Sequence, residues 1–178
     1  MKVLLVSSEV APFAKTGGLA DVAGALPIAL SHLGIDVRVA MPGYGSIQYE
    51  PGVVTNVVLP HLDVQLGNNH FYADVSQSTL PGSDVPIYFI NNPGFFHREG
   101  LYQEEGQDYP DNPRRFAFFC KAIPWMIKGL GWVPDVIHCN DWQTGLLPVM
   151  LQSEPGMVDD PDLARIGTLF TIHNMAYQ

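Results

Sequence analysis

The chain begins with the apolar run Val3-Leu4-Leu5-Val6 and soon continues as Lys15-Thr16-Gly17-Gly18-Leu19-Ala20-Asp21-Val22. The first run is typical of a buried strand, and apolar residues from Leu19 to Leu33 recur at helical spacing until Gly34. A second apolar run, Val37 to Met41, completes a strand–helix–strand unit. A glycine turn that leads from a strand into a helix exposes amides at the positive end of the helix dipole. This stretch therefore predicts an α/β domain with a phosphate site at its first turn.

The next part of the chain changes character. Short extended runs are broken by Gly, Asn and Pro, which is typical of hairpins. These runs are Val53 to Leu59, Leu62 to Leu66, Phe71 to Val75 and Ile87 to Ile90. We expect them to form a meander added to the parallel sheet. Residues 91 to 110 are polar and aromatic and predict a long loop, which in a domain of this size is usually functional or mobile.

The last third returns to alternating helices and strands. Asn112-Pro113 predicts a helix start, in which Asn112 caps the free amides and Pro113 takes the first position. A strand is expected from Asp135, a helix over Trp142 to Leu151, and a last strand over Ile166 to Ile172. The pattern as a whole predicts an α/β fold with a Rossmann-like, mostly parallel sheet and added β-hairpins.

Bulk composition excludes several classes of protein. The chain has 178 residues and a formal net charge of −9, with no marked basic cluster, so neither nucleic acid nor an anionic membrane is an expected partner. Cys120 and Cys139 are too few for a disulfide framework and predict two reduced cysteines in the core, with a regulatory pair as the alternative. No signal peptide is visible, and no apolar run approaches the about 20 residues that span a bilayer, so we expect a cytoplasmic setting.

Three motifs, in this order, resemble those of the bacterial glycogen synthases and plant starch synthases. They are Lys15 to Val22, Asp135-Val136-Ile137-His138-Cys139-Asn140-Asp141-Trp142, and His173-Asn174-Met175-Ala176-Tyr177-Gln178. The resemblance implies transfer of glucose from ADP-glucose to the non-reducing end of an α-1,4-glucan, in the cytoplasm of a bacterium or the stroma of a plastid. It also implies that residues 1–178 are the N-terminal, acceptor-side domain of a two-domain GT-B glycosyltransferase. The nucleotide-binding C-terminal domain would follow, and without it we expect the fragment to be inactive.

The first motif supplies candidates for binding the donor. Lys15 and the amides of Gly17 and Gly18 are expected to stabilise the phosphates of the nucleotide sugar, with Lys15 also catalytic because charge grows on the leaving diphosphate. Glu9 follows the first strand, where α/β sheets bind ligands, and is either a contact to the sugar or the acceptor or a surface carboxylate. Asp21 either complements the helix dipole or contacts the ligand.

The second motif places His138, Asn140, Asp141 and Trp142 at the end of a strand, which predicts that they reach the same crevice. Asp141 is a catalytic candidate that is expected to accept hydrogen bonds from sugar hydroxyls near the acceptor, or else it caps the next helix. Trp142 either stacks on a pyranose or packs in the core. The family usually has His after this Trp, whereas this chain has Gln143.

His173 is the principal catalytic candidate. The resemblance implies that it lies against the transferred glucose, with its carbonyl facing the developing oxocarbenium charge, whereas the alternative is a histidine bonded to backbone. Asn174 and Tyr177-Gln178 are expected to hold the shape of the loop. Tyr102 matches a family position near the nucleotide sugar.

Neither a metal nor another cofactor is expected, because His and Cys are not clustered. A dinucleotide-dependent oxidoreductase is disfavoured, since the first turn lacks Gly-x-Gly-x-x-Gly. A non-catalytic carbohydrate-binding module derived from a synthase-like domain remains the alternative function.

Overall fold

The computed structural model describes residues 1–47 and 54–175. The strands are β1 (Lys2–Val6), β2 (Asp36–Pro42), β3 (Asn56–Leu66), β4 (Asn69–Thr79), β5 (Pro86–Asn91), β6 (Gln103–Glu104), β7 (Gln107–Asp108), β8 (Val136–Asn140) and β9 (Gly167–Thr171). The helices are α1 (Gly18–His32), α2 (Pro93–Phe96), α3 (Asn112–Leu130) and α4 (Leu146–Ser153), with a 3₁₀ turn at Trp142–Thr144.

A seven-stranded sheet in the order β3-β4-β5-β2-β1-β8-β9 organises the domain. Strands β5, β2, β1, β8 and β9 pair in parallel, whereas β3, β4 and β5 pair antiparallel. The predicted α/β class and mostly parallel sheet are therefore confirmed. Strand β1 is central and its residues Leu4 to Val6 are buried, as expected for a parallel strand covered on both faces.

The order of strands reverses at β1, which lies between β2 and β8. Ligands of open α/β sheets bind at such a switch point, outside the carboxyl ends of the strands. The residues that follow β1, β8 and β9 all emerge at this edge, because the three strands are parallel.

The hairpin region follows the prediction with one difference. The runs ending at Leu59 and Leu66 are parts of a single strand, β3, with a shift in register between Leu59 and Leu62 and a positive φ of 54° at His61. Pro60 is tolerated there because β3 is the edge strand of the described sheet. Residue 53, where the first of these runs was predicted to begin, lies outside the described residues.

Three local predictions need correction. The segment 91–110 contains α2 and the small hairpin β6–β7, so it is not a structureless loop. The residue that caps α3 is Asp111, and Asn112, whose side chain bonds other groups, is the first helical residue. The helix predicted from Trp142 is interrupted between the 3₁₀ turn and α4.

Two helices are followed by glycines with a positive φ, and the first of these, Gly34, was predicted from the sequence. Gly34 follows α1 with a φ of +79° and Gly131 caps α3 with a φ of +63°, both in the left-handed region that L-residues rarely adopt. Both α1 and α3 continue through an internal proline, Pro27 and Pro124. Helix α1 packs against β2, and α3 packs against β3 and α4. Within residues 1–47 and 54–175, no helix combines the length and apolarity needed to cross a membrane.

Both cysteines are free and fully buried, as the core interpretation predicted. The Cys120 thiol donates to the carbonyl of Gln143 at 3.3 Å, and burial raises the pKa of Cys120 to about 12. Burial also raises the pKa of Cys139. A neutral, inaccessible thiol is a poor nucleophile.

We therefore expect neither Cys120 nor Cys139 to react with a thiol-specific disulfide reagent in the native domain, and both to react after denaturation. A colorimetric thiol count in buffer and in guanidinium chloride measures this directly. Reaction of either thiol under native conditions at the rate of free cysteine would contradict the buried, inert assignment and favour a regulatory pair.

Candidate active site

The carboxylate of Glu9 lies just beyond β1 and is almost fully buried, with 4% of the residue exposed. Its Oε2 accepts from the amides of Thr16 at 2.5 Å and Gly17 at 3.3 Å. Its Oε1 accepts from the Thr16 hydroxyl at 2.6 Å and the Tyr102 hydroxyl at 2.8 Å. Glu9 is thus not a surface carboxylate. In this arrangement its oxygens are already occupied by protein donors and leave no lone pair for a sugar, so its role is to fix the turn that precedes α1.

The turn at Gly17 and Gly18 is open. Gly17 has φ −152° and ψ −164°, an extended conformation that any residue adopts, and a Cβ on either glycine would meet no atom of the described residues within 4 Å. Neither backbone strain nor packing within the described domain requires glycine here. The absence of side chains instead leaves room above the first amides of α1, which begins without a side-chain cap.

Lys15 and Asp21 form an ion pair beside this turn. The Lys15 ammonium lies 2.7 Å and 2.8 Å from the two carboxylate oxygens of Asp21, and the two side chains are 51% and 59% exposed. Asp21 is in the first turn of α1, where a carboxylate also complements the dipole. Exposed pairs of this kind contribute about 0–1 kcal/mol, so an incoming anion can compete for Lys15.

Tyr102 connects the segment 97–111 to β1. Its hydroxyl donates to Glu9 Oε1, so the Ser8 hydroxyl, 2.8 Å away, is the donor in the other bond to this oxygen. Burial raises the pKa of Tyr102, and the charge of Glu9 adds to the effect. The ring packs beside Phe116 and the partly buried Trp142, at centroid distances of 5.8 Å and 6.2 Å. Trp142 also contacts Phe116 edge-on at 5.2 Å.

Asn140 and His173 join the ends of three strands. Asn140 Nδ2 donates to the carbonyls of Val6 and His138, both at 3.1 Å, and its Oδ1 lies 2.9 Å from His173 Nε2. Because backbone carbonyls only accept hydrogen bonds, the group of Asn140 that faces Val6 and His138 must be the amide NH2. Its oxygen therefore faces His173, and His173 Nε2 must carry the proton that is donated to it. The tautomer of His173 is therefore set by Asn140.

Asp141 has a backbone conformation that is essentially restricted to glycine, with φ 59° and ψ 176°. Its amide donates to the carbonyl of Thr171 at 2.9 Å, and its Oδ1 accepts from the amide of His173 at 2.6 Å. The carbonyl of Asp141 accepts from the amide and the hydroxyl of Thr144. The carboxylate therefore does not cap the following 3₁₀ turn; it holds the start of the segment that carries His173.

His138 lies in β8 and contacts β9 through Thr171, whose hydroxyl is 2.8 Å from Nε2. Burial, with a smaller contribution from the nearby His173, lowers the pKa of His138. The structure thus brings His138, Asn140, Asp141 and His173 together, as the second and third motifs predicted. Tyr177 and Gln178, expected to shape this loop, lie outside the described residues.

Sequence reasoning missed several supporting residues. Ser8 stands directly before Glu9 and its contact was not foreseen, while Arg115, for which the sequence indicates only a structural role near the start of α3, is fully buried. The Asp160-Pro161-Asp162 pattern, a spacing that sometimes holds metals, instead binds Lys128 through both carboxylates at 2.8 Å and 3.3 Å. Within the described ranges, no group of three or more His, Cys, Asp or Glu side chains could hold a metal ion.

Replacing Asp141 separates the strain of its backbone from the contact of its carboxylate. Both Asp141→Ala and Asp141→Gly lose the bond to His173, but only glycine adopts this backbone conformation without strain, so we expect the glycine variant to be more stable by about 1–3 kcal/mol. Denaturant unfolding measures the difference. Asp36, in the regular strand β2, is the control: there the alanine variant should be more stable than the glycine variant. If Asp141→Ala is as stable as Asp141→Gly, the backbone of Asp141 is not strained.

Comparison with known proteins identifies the family of the chain. Residues 2–178 match the family model described as the starch synthase catalytic domain. Glycogen synthase 2 of Geobacter sulfurreducens is 51% identical and glycogen synthase of Moorella thermoacetica 46% identical, each over the whole chain and over 36% and 34% of the relative. A solved structure, the catalytic domain of starch synthase IV from Arabidopsis thaliana bound to ADP and acarbose, superposes with a TM-score of 0.84 at 30% identity, covering 99% of this chain and 34% of that one. The chain spans about a third of the length of these relatives, and it belongs to the starch synthase catalytic domain family.

Proposed function

We propose that the protein containing this chain is a retaining glucosyltransferase that moves glucose from ADP-glucose to the non-reducing end of an α-1,4-glucan. The observation that carries the proposal is the turn at Gly17 and Gly18, which the described fold does not require to be glycine and above which it leaves open space. The glycogen synthase relatives and the ADP-bound structural neighbour support the same substrate class.

The turn suits the leaving diphosphate. Negative charge grows on the diphosphate as the glycosidic bond breaks, and preorganised donors aimed at that charge lower the barrier. The uncapped amides at the start of α1 and the ammonium of Lys15 are such donors, because Glu9 holds the turn still while the Lys15 ammonium is paired with the exposed carboxylate of Asp21. Asp21 keeps Lys15 beside the turn until a ligand takes its place.

The residues after β8 and β9 suit the glucose and the acceptor. Asp141 orients the backbone of His173, and Asn140 orients its ring, so the carbonyl of His173 has a defined position relative to the crevice. In the proposed mechanism that carbonyl faces the oxocarbenium charge. The acceptor hydroxyl attacks from the face that the diphosphate leaves and gives its proton to the leaving phosphate, so no covalent nucleophile is needed and the protein mainly orients the reactants.

We also propose that a C-terminal domain of the longer protein completes the site, within the bacterial cytoplasm. One observation that supports the proposed domain is the exposure of apolar side chains on β9, the edge strand of the described sheet, and on α4. Exposed apolar side chains on these elements are Leu146, Val149, Leu169 and Phe170. An uncovered strand edge with apolar side chains is a surface that proteins usually cover.

Lys15→Ala in the full-length protein should reduce glucose transfer from ADP-glucose to glycogen at least tenfold, roughly 1.4 kcal/mol of barrier, because it removes a charge aimed at the diphosphate.

Gly18→Ala should raise KM for ADP-glucose without loss of stability, since its methyl group enters space that only a ligand would fill. Incorporation of labelled glucose, measured with ADP-glucose and UDP-glucose, provides the test.

Two controls match these variants. Lys128→Ala also breaks a surface ion pair and should leave transfer unchanged. Gly24→Ala should lose stability, because its Cβ would lie 2.9 Å from the carbonyl oxygen of Ala11. Absence of transfer by the wild type from either donor, with glycogen binding intact, would refute the proposal and favour a carbohydrate-binding module.

Residues 1–178 alone should not transfer glucose, because the proposed function needs the C-terminal domain to complete the nucleotide pocket. The same incorporation assay on the purified fragment, beside the full-length protein at equal concentration, decides this. Transfer by the fragment above the no-enzyme background would show that the second domain is dispensable.

A further inference from the structure

Arg115 is fully buried in the first turns of α3, with 0% of the residue exposed. Among the described residues it forms no salt bridge: Asp111, a carboxylate whose charge it feels, is bound by Arg98 at 2.6 Å and 2.7 Å. Burial lowers the pKa of Arg115, and the positive end of the helix dipole is an unfavourable place for a cation. Stability alone is thus a weak reason for an arginine here.

The guanidinium binds backbone oxygens in an irregular part of the chain. Its Nε donates to the carbonyl of Phe95 at 2.7 Å, and its Nη1 donates to the carbonyl of Leu101 at 2.9 Å and to Asn112 Oδ1 at 2.7 Å. Asn112 Nδ2 in turn donates to the carbonyl of Tyr102 at 2.8 Å. Arg115 and Asn112 therefore hold two successive carbonyls, those of Leu101 and Tyr102.

The hydrogen bonds continue from Tyr102 to the glycine turn. The Tyr102 hydroxyl donates to Glu9 Oε1, and Glu9 accepts from the amides of Thr16 and Gly17. Each link is 3.3 Å or shorter, so an unbroken series of bonds joins Arg115 to the turn. A lysine at position 115 would keep the charge but could not reach these acceptors with a rigid fork.

We propose that Arg115, acting together with Asn112, is a positioning residue for donor binding: it fixes the backbone of Tyr102 and, through Glu9, the amides of the glycine turn. It touches neither substrate nor reacting atoms. This inference rests on the proposed function, because its consequence is expressed in the binding of the nucleotide-sugar diphosphate.

The alternative is that Arg115 only packs, since its guanidinium also lies 5.0 Å from the ring of Tyr109 and 5.4 Å from that of Phe116. Asn112→Asp distinguishes the two roles. The new carboxylate still accepts from Arg115 and supplies the missing counter-charge, but it can no longer donate to the carbonyl of Tyr102. Packing alone predicts an unchanged or more stable enzyme with normal kinetics, whereas positioning predicts a kinetic defect without a loss of stability.

The experiment compares kcat, KM for ADP-glucose and thermal midpoint for full-length Asn112→Asp, Arg115→Lys, Tyr102→Phe and the double variant Tyr102→Phe/Arg115→Lys. We expect kcat/KM for ADP-glucose to fall about tenfold in Arg115→Lys and Asn112→Asp, and the double variant to be no worse than the poorer single variant, because both changes break the same series of bonds. Arg38→Lys is the control, since Arg38 is a partly buried arginine on another strand, β2, whose guanidinium lies 4.3 Å from the centroid of the Trp132 ring.

Normal kcat/KM in Asn112→Asp, or losses that multiply in the double variant, would overturn the inference. Calorimetric titration of the same full-length proteins with ADP separates this failure from failure of the proposed function. A wild type that binds ADP without transferring glucose refutes the transferase, and the ADP affinity of Asn112→Asp then decides the positioning role: unchanged affinity overturns it and weaker affinity supports it. A wild type that neither binds ADP nor transfers glucose overturns both.

Discussion

The buried carboxylate of Glu9 is the interaction on which the rest of the site depends. A carboxylate removed from water is costly unless its oxygens are satisfied, and here four donors from two distant parts of the chain meet it. Because those donors include the amides of Thr16 and Gly17, the carboxylate fixes the turn before α1. Because they include Tyr102, the same group anchors the segment between β5 and α3. Removing the carboxylate would break the hydrogen bonds that hold the turn and the Tyr102 segment in a fixed position relative to each other.

The sheet explains why this carboxylate and the histidines share one crevice. Strand β1 is followed by Glu9, its neighbour β8 by Asp141, and β9, on the other side of β8, by His173. Asn140 reaches across to the carbonyl of Val6, so the two halves of the site are bonded through the strand ends as well as brought together by topology. A displacement of β8 relative to β1 would therefore move His173 and the glycine turn apart. It would also break the bond from Asn140 to Val6, one of the two carbonyl bonds that orient the amide beside His173.

Much of the fold could be predicted because its signals are local. Helical spacing that ends at Gly34, and extended runs around the central strands, each depend on neighbouring residues and were confirmed. The site was predictable only as a set of residues at strand ends. Tyr102 lies 93 residues from Glu9, and no spacing rule connects them. The left-handed φ of Asp141 was equally invisible, since local preference disfavours it and the strand ends of β8 and β9 impose it.

Asn112 shows how a tertiary contact overrides a local preference. Next to Pro113 it has the sequence of a helix cap, and in isolation its side chain would bond the free amides of α3. In the domain, the amide side chain instead meets Arg115 and the carbonyl of Tyr102, and the capping position passes to Asp111. The hydrogen bonds that Asn112 makes instead of capping α3 lead to the candidate site, whereas a cap would have stabilised only the helix.

The two sides of the glycine turn differ in rigidity, and the difference suits a site that must bind and release a charged product. Glu9 is buried and bonded to backbone amides, so the geometry of the turn does not have to be assembled when a diphosphate arrives. Lys15 is half exposed and bonded to one exposed carboxylate, so its charge can be transferred to a ligand at little cost. In the proposed function, Asp21 takes the ammonium back when the product leaves, which would limit how tightly Lys15 holds the diphosphate. If the partner of Lys15 were a buried carboxylate like Glu9, it would hold the ammonium too firmly for this exchange. If Lys15 had no carboxylate partner, the ammonium would stay bound to the product for longer.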